Sequence, residues 1–180
     1  MNTYDFDLLI SGASYDDEQL EEKLFNAGCD DATLFFRNAI AYLTFSREAE
    51  SFQNAIVSAI TDVEKTGLIV KRVMPDDIVS AAEIGRRLDK SREYIRKLIT
   101  QEKGPGGFPS PVTEISTKSP LWSWLDVVEW LIHHDLINDD SVLLNAKAIV
   151  LVNSTLPILQ HADLQDRQVG LLESLKLRVA

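Results

Sequence analysis

Residues 78–101 read Ile-Val-Ser-Ala-Ala-Glu-Ile-Gly-Arg-Arg-Leu-Asp-Lys-Ser-Arg-Glu-Tyr-Ile-Arg-Lys-Leu-Ile-Thr-Gln, and the fold of the middle of the chain turns on them. Ser80 followed by Glu83 is a capping box, which fixes a helix start. Ile84 and Leu88 lie four apart and point to one side. Gly85 sits in the helix interior, where glycine costs about 1 kcal/mol against alanine. That cost makes sense if a second helix crosses close above it. Asp89-Lys90 make the turn, Ser91 caps the second helix, and Ile95 and Leu98 complete a small core with Ile84 and Leu88. The pattern is that of a helix-turn-helix. It leaves Arg92, Glu93, Arg96 and Lys97 on the outer surface of the second helix, with Tyr94 near its edge. A recognition helix presents its N-terminal residues to base edges in the major groove. Arg92 is then the first choice for a bidentate guanine contact, and Ser91 with its neighbouring amides suits a phosphate. Arg96 and Lys97 fit either bases or phosphates. An amphipathic helical hairpin with a solvated basic face carries the same pattern, so the residues downstream matter.

Downstream, Gly104-Pro105-Gly106-Gly107-Phe108-Pro109 breaks the helix. Pro111–Ile115 and Leu121–Trp122 predict short strands around Ser116-Thr117-Lys118-Ser119, a small wing. Ser123 starts a helix holding Leu125, Val127, Val128, Trp130 and Leu131. The combination EIGRRLDKSREYIRKLI … GGFPSPV … LWSWLDVVEWL, over about residues 78–132, resembles the AlpA/excisionase and MerR-like winged helix-turn-helix proteins. The resemblance implies DNA binding through Ser91–Lys97, with a wing tip near Thr117 and Lys118 on the DNA backbone. The chain departs from the MerR-like activators, whose long dimerising coiled coil has no counterpart in its unsustained C-terminal heptads, and this argues against effector-sensing activation. Trp122 and Trp130 are expected to pack the wing onto the helix pair rather than to stack on bases.

The first 75 residues alternate strand and helix signals. In Tyr4–Ile10, Tyr4, Phe6 and Leu8 face one way. Asp16, Asp17 and Glu18 suit a helix N-terminus, Leu20, Leu24 and Phe25 form its apolar stripe, and Gly28 is its stop. Ala32–Arg37 and Ile40–Phe45 read as a hairpin turning at Asn38–Ala39. Ser51 caps a helix burying Phe52, Ala55, Ile56, Ala59, Ile60 and Val63, and Leu68–Val73 is the last strand before Pro75. The order β-α-β-β-α-β predicts a ferredoxin-like domain with two helices on one face of a four-stranded antiparallel sheet. Residues 139–180 read as two helices, Asp140–Gln160 and Asp163–Leu177. The expected class is therefore α+β: a ferredoxin-like domain at 1–75, a winged helix-turn-helix at 78–135 and a helical segment at 139–180.

The net charge of −10 looks wrong for a nucleic-acid binder, but it is unevenly spread. Residues 1–77 hold 15 acidic and 6 basic side chains, residues 119–180 hold 8 and 4, and only residues 78–118 are basic, with 8 against 5. Acidic flanks oppose nonspecific phosphate binding and leave one competent face. The acidic N-terminal region also argues against an RNA-binding sheet. The glycines at 104–107 lack the Lys-Ser or Lys-Thr of a phosphate loop, and adjacent His133 and His134 cannot share a helix face as zinc ligands. Acidic pairs fall at element ends, Cys29 has no activating base in sight, and no triad-like arrangement stands out. A single cysteine, a start without a basic leader and no uninterrupted apolar span point to the cytoplasm and away from the membrane. The sequence thus leads to a sequence-specific regulator of double-stranded DNA, a homodimer with neither cofactor nor catalytic residues. The alternative is a protein-interaction module, antitoxin-like or an adaptor, whose acidic N-terminal domain binds a protein partner.

Overall fold

The computed structural model describes residues 1–113 and 119–161 and, beyond them, residues 164, 167, 168, 170 and 171. The chain is a mixed α+β protein that divides into two compact units, Met1–Pro75 with Leu151–Ala180, and Asp76–Val150. Among the described residues there are six helices and a four-stranded antiparallel sheet, with a second sheet of two short strands.

The first unit follows the order β-α-β-β-α-β: β1 (Asn2–Ser11), α1 (Leu20–Ala27), β2 (Ala32–Arg37), β3 (Ile40–Ala49), α2 (Phe52–Glu64) and β4 (Ile69–Met74). The sheet runs β2-β3-β1-β4. The period-2 pattern sets its register, pairing Phe6 with Phe45 and Leu8 with Leu43, so that these side chains and Val70 and Val73 are buried together. The hairpin turns at Asn38 and Ala39, both with positive φ, 52° and 61°, the backbone that a two-residue turn needs to match strand twist. Ser51 caps α2 by accepting the Asn54 amide at 3.1 Å. One side chain of the expected apolar stripe turns outward: Leu20 and Leu24 of α1 are buried, but Phe25 is 64% exposed.

One polar network in this unit was not foreseen. Arg47 lies in the inward register of β3, between Phe45 and Ala49, and is buried. Its guanidinium donates to both carboxylate oxygens of Asp31 (2.8 and 2.9 Å), to Asp62 (2.8 Å), to Ser58 Oγ (3.2 Å) and to the Gly28 carbonyl (2.7 Å). A buried charge survives only when so fully satisfied.

The second unit contains β5 (Ile78–Ser80), α3 (Ala81–Arg87), α4 (Arg92–Ile99), β6 (Leu121–Ser123) and α5 (Trp124–His133). Only part of the expected wing lies among the described residues. β6 pairs antiparallel with β5, Val79 opposite Trp122, a pairing outside the expected hairpin. Toward the other side Leu121 makes a single bridge to Thr113. Residues 114–118 of the expected hairpin, including its tip at Thr117 and Lys118, lie outside the described residues. The core collects Val79, Ile84, Ile95, Leu98, Trp122, Trp124, Val127, Val128 and Leu131.

The last helix, α6 (Asp140–Leu159), is divided between the units instead of forming a segment of its own. Val142, Leu143 and Ala146 pack against the core of the second unit, whereas the helix from Leu151 onward belongs to the first. There the Asn153 carboxamide accepts from the Val73 amide (2.8 Å) and donates to the Val73 carbonyl (3.1 Å), and Gln160 donates to the Val70 carbonyl (2.7 Å). The helix spans Asp140–Leu159, close to the expected Asp140–Gln160, and by length and composition alone it could cross a membrane. A buried Asn153 engaged with a strand instead marks a face packed against protein. Of the second expected C-terminal helix, Leu164, Arg167, Gln168, Gly170 and Leu171 are helical, and the rest lies outside the described residues.

Candidate nucleic-acid interface

The candidate surface is the outer side of α4, and its position is set by the turn before it. Ser80 accepts the Glu83 amide (3.2 Å) and starts α3; Ser91 accepts the Tyr94 amide (3.1 Å) and starts α4. Only half of the expected capping box forms, because the Glu83 carboxylate turns to Arg86 (2.6 and 2.8 Å) and Arg87 (2.9 Å). Those guanidiniums, Arg86 foremost, hold the Glu83 carboxyl down at about 2. Between the helices Asp89 takes a left-handed conformation (φ 52°), and the Lys90 amide returns to the Gly85 carbonyl at 2.8 Å. A Cβ on Gly85 would lie 2.7 Å from the Lys90 carbonyl oxygen and 3.5 Å from Ile95 Cγ1, so the tight approach is that of the turn leading into α4, and a larger residue would have to displace it.

With Ile95 and Leu98 buried against Ile84, the helix turns Arg92, Glu93 and Arg96 to solvent and leaves Lys97 half-buried. Arg92, the first residue of α4, is exposed and takes no hydrogen bond or ion pair among the described residues. Arg96 is in the opposite state. It donates to both oxygens of Glu93 (2.9 Å each) and to both oxygens of Glu102 (2.7 and 2.9 Å), while Thr100 donates to Glu102 at 2.9 Å. Lys97 stands 3.7 Å from Glu93. These bonds lower the Glu93 carboxyl, hold that of Glu102 at about 2 and raise the Arg96 guanidinium further. Tyr94 is half-buried, its ring facing the Lys103 ammonium at 4.8 Å. Ser91 spends its oxygen on the cap.

Of the expected contacts, Ser91, Arg92, Glu93, Tyr94, Arg96 and Lys97 therefore come together on one helix, and Thr117 and Lys118 fall outside the described residues. Two residues were missed. Glu102 reaches Arg96 because Gln101 takes a positive φ of 59° and folds the chain back, an event with no signature in helical spacing. Arg87 looks like another surface base, yet its side chain is only 9% exposed and its guanidinium sits 4.9 Å over the Trp124 ring.

Behind the helix pair the Gly104–Pro109 segment is fastened by indoles. Trp130 donates to the Gly106 carbonyl and Trp122 to the Pro109 carbonyl, both at 3.0 Å, and Phe108 lies edge-on to both rings. All three tryptophans are buried, so none offers a ring to a base. Comparison with known proteins finds no protein family, no curated protein and no solved structure that matches this chain.

Proposed function

We propose that this chain is a sequence-specific regulator that binds double-stranded DNA as a homodimer and reads the major groove with α4. The observation that carries the reading is Arg92: a guanidinium exposed at the start of the second helix of a tight pair, with its donors uncommitted among the described residues. That is the position from which a recognition helix addresses base edges, and guanine offers the matching O6 and N7 acceptors. On this reading the second unit is a winged helix-turn-helix of the excisionase-like kind, supported by the β5–β6 pairing beside the helix pair and by the FPSP segment held under Trp122 and Trp130. The first unit is ferredoxin-like, supported by its element order and by the strand order β2-β3-β1-β4. A cytoplasmic location agrees with a lone, buried Cys29 whose thiol burial pushes up to about 11, where it is unreactive. Two copies with recognition helices about 34 Å apart would read a pseudo-palindrome.

Fluorescence anisotropy with genomic-fragment and random duplexes at two salt concentrations tests this. Arg92→Ala is expected to lose about 1–3 kcal/mol of site-specific affinity. Arg92-independent binding, or no binding by folded protein, overturns the reading.

A second reading, a protein-interaction module, rests on the sheet of the first unit. Phe35 and Tyr42 stack 5.1 Å apart on adjacent strands, with Ile40 exposed beside them. Capture of a protein partner that survives Arg92→Ala and is lost in Phe35→Ser would favour it.

A further inference from the structure

The recognition face carries its own anions. Arg96 has five N–H donors, and four of its bonds end on carboxylate oxygens from opposite directions, Glu93 within the helix and Glu102 past its end. Together with Lys97 the cluster sums to no net charge, so the middle of α4 offers an approaching phosphate almost no attraction. Such an arrangement is a poor way to gain affinity and a good way to refuse the wrong DNA, since specificity is a difference that repulsion can supply.

We infer that Glu93 and Glu102 are specificity-determining residues: Glu102 withholds Arg96 from nonspecific phosphate, and Glu93 is the group that leaves the cluster to accept from an exocyclic amine in the major groove. This inference rests on the DNA-binding reading above. In the major groove only cytosine N4 and adenine N6 present donors; guanine O6 and N7 and thymine O4 present acceptors, which a carboxylate repels. When Glu93 turns to an amine, Glu102 still satisfies Arg96 through two bonds, and no charge in the cluster is stranded. A base without an amine leaves Glu93 facing an acceptor, and the helix stays closed on itself. Arg92 and Glu93 are adjacent in sequence, so the recognised site joins a guanine to a cytosine or adenine.

The test is anisotropy on random duplex and on a selected binding fragment at two salt concentrations, with the full chain, Glu102→Gln, Glu93→Gln and Glu102→Gln/Arg96→Ala. Glu93, Arg96 and Glu102 are all exposed, so the variants are expected to fold, which circular dichroism checks. Glu102→Gln is expected to bind random duplex roughly five- to tenfold tighter near 0.1 M salt and to steepen the salt slope by about one unit, because Arg96 gains a phosphate. Adding Arg96→Ala should return both to the parent values. Glu93→Gln should lower the ratio of selected to random affinity, since a carboxamide both donates and accepts. If the parent binds through Arg92 but Glu102→Gln leaves random-duplex affinity and salt slope unchanged or lower, this inference fails alone. If binding never depends on Arg92, the reading beneath it fails first.

Discussion

Two arginines in this chain are each held between two carboxylates, and they do different things. Arg47 joins Asp31 to Asp62 inside the first unit; Arg96 joins Glu93 to Glu102 at the outer side of α4 in the second. The Arg47 side chain is 8% exposed and that of Arg96 46%. Burial removes water as an alternative partner, so the Arg47 bonds hold elements of the sheet and helices in place and cannot be exchanged without loss. Exposure leaves water, salt and phosphate as competitors, so the Arg96 bonds are individually weak and readily traded. The same pairing of one guanidinium with two carboxylates thus makes a fixed joint in one place and an exchangeable contact in the other.

The largest expected effect falls on the joint. Arg47→Met strands Asp31, leaves Asp62 to Lys65 at 2.7 Å, and should cost about 3 kcal/mol in a urea titration. A loss below about 1 kcal/mol would mean that water replaces the guanidinium and that the contrast with Arg96 is one of degree. Next comes the frame that carries the second arginine. Gly85→Ala gains helix propensity of about 1 kcal/mol but forces the Lys90 carbonyl out of a 2.7 Å contact, with overpacking of about 1–3 kcal/mol, for a net loss of about 1 kcal/mol. An increase in stability would show that the turn relaxes freely and that α4 is not rigidly placed.

The smallest effect belongs to Arg96→Ala, which should move the urea midpoint far less than Arg47→Met does. Its signature is a titration: the Glu102 carboxyl, held at about 2, should rise toward the usual 4.5 when followed by carbon NMR. A carboxyl lowered by folding lends stability above its unfolded value, and that contribution disappears as pH falls from about 4.5 to about 2. An unmoved Glu102 in Arg96→Ala would dissolve the cluster as a functional unit.

The legible parts of the fold were those written locally. Ser51, Ser80, Ser91 and Ser123 each cap a helix, because a cap is decided within four residues. Gly85 announced a close approach, and the alternation of β1 and β3 announced a shared buried face. What escaped depends on distant partners or on a turn without a motif. β5 is three residues long and pairs with a strand some forty positions later, too little sequence to show a period. Arg47 sat in an inward register in plain view, but its partners come from the loop before β2 and from α2. Of the candidate interface, the residues on α4 were legible from helical spacing, whereas Glu102, which neutralises Arg96, was hidden behind one positive φ. Phe25 fits its helix stripe by spacing and still faces solvent, since spacing says which residues share a side and not how far the partner surface extends.

The carboxamide of Asn153 has a consequence for anyone dividing the chain. A border strand with bare amides and carbonyls is a template for another chain, and β4 occupies a border of its sheet. Asn153 fills the donor and acceptor of Val73 with one side chain, as a neighbouring strand would, from a helix that begins among residues of the other unit. A fragment ending at Pro75 would keep every strand of the sheet and lose its seal, and what it would invite is fibre-like self-addition along Val70–Val73.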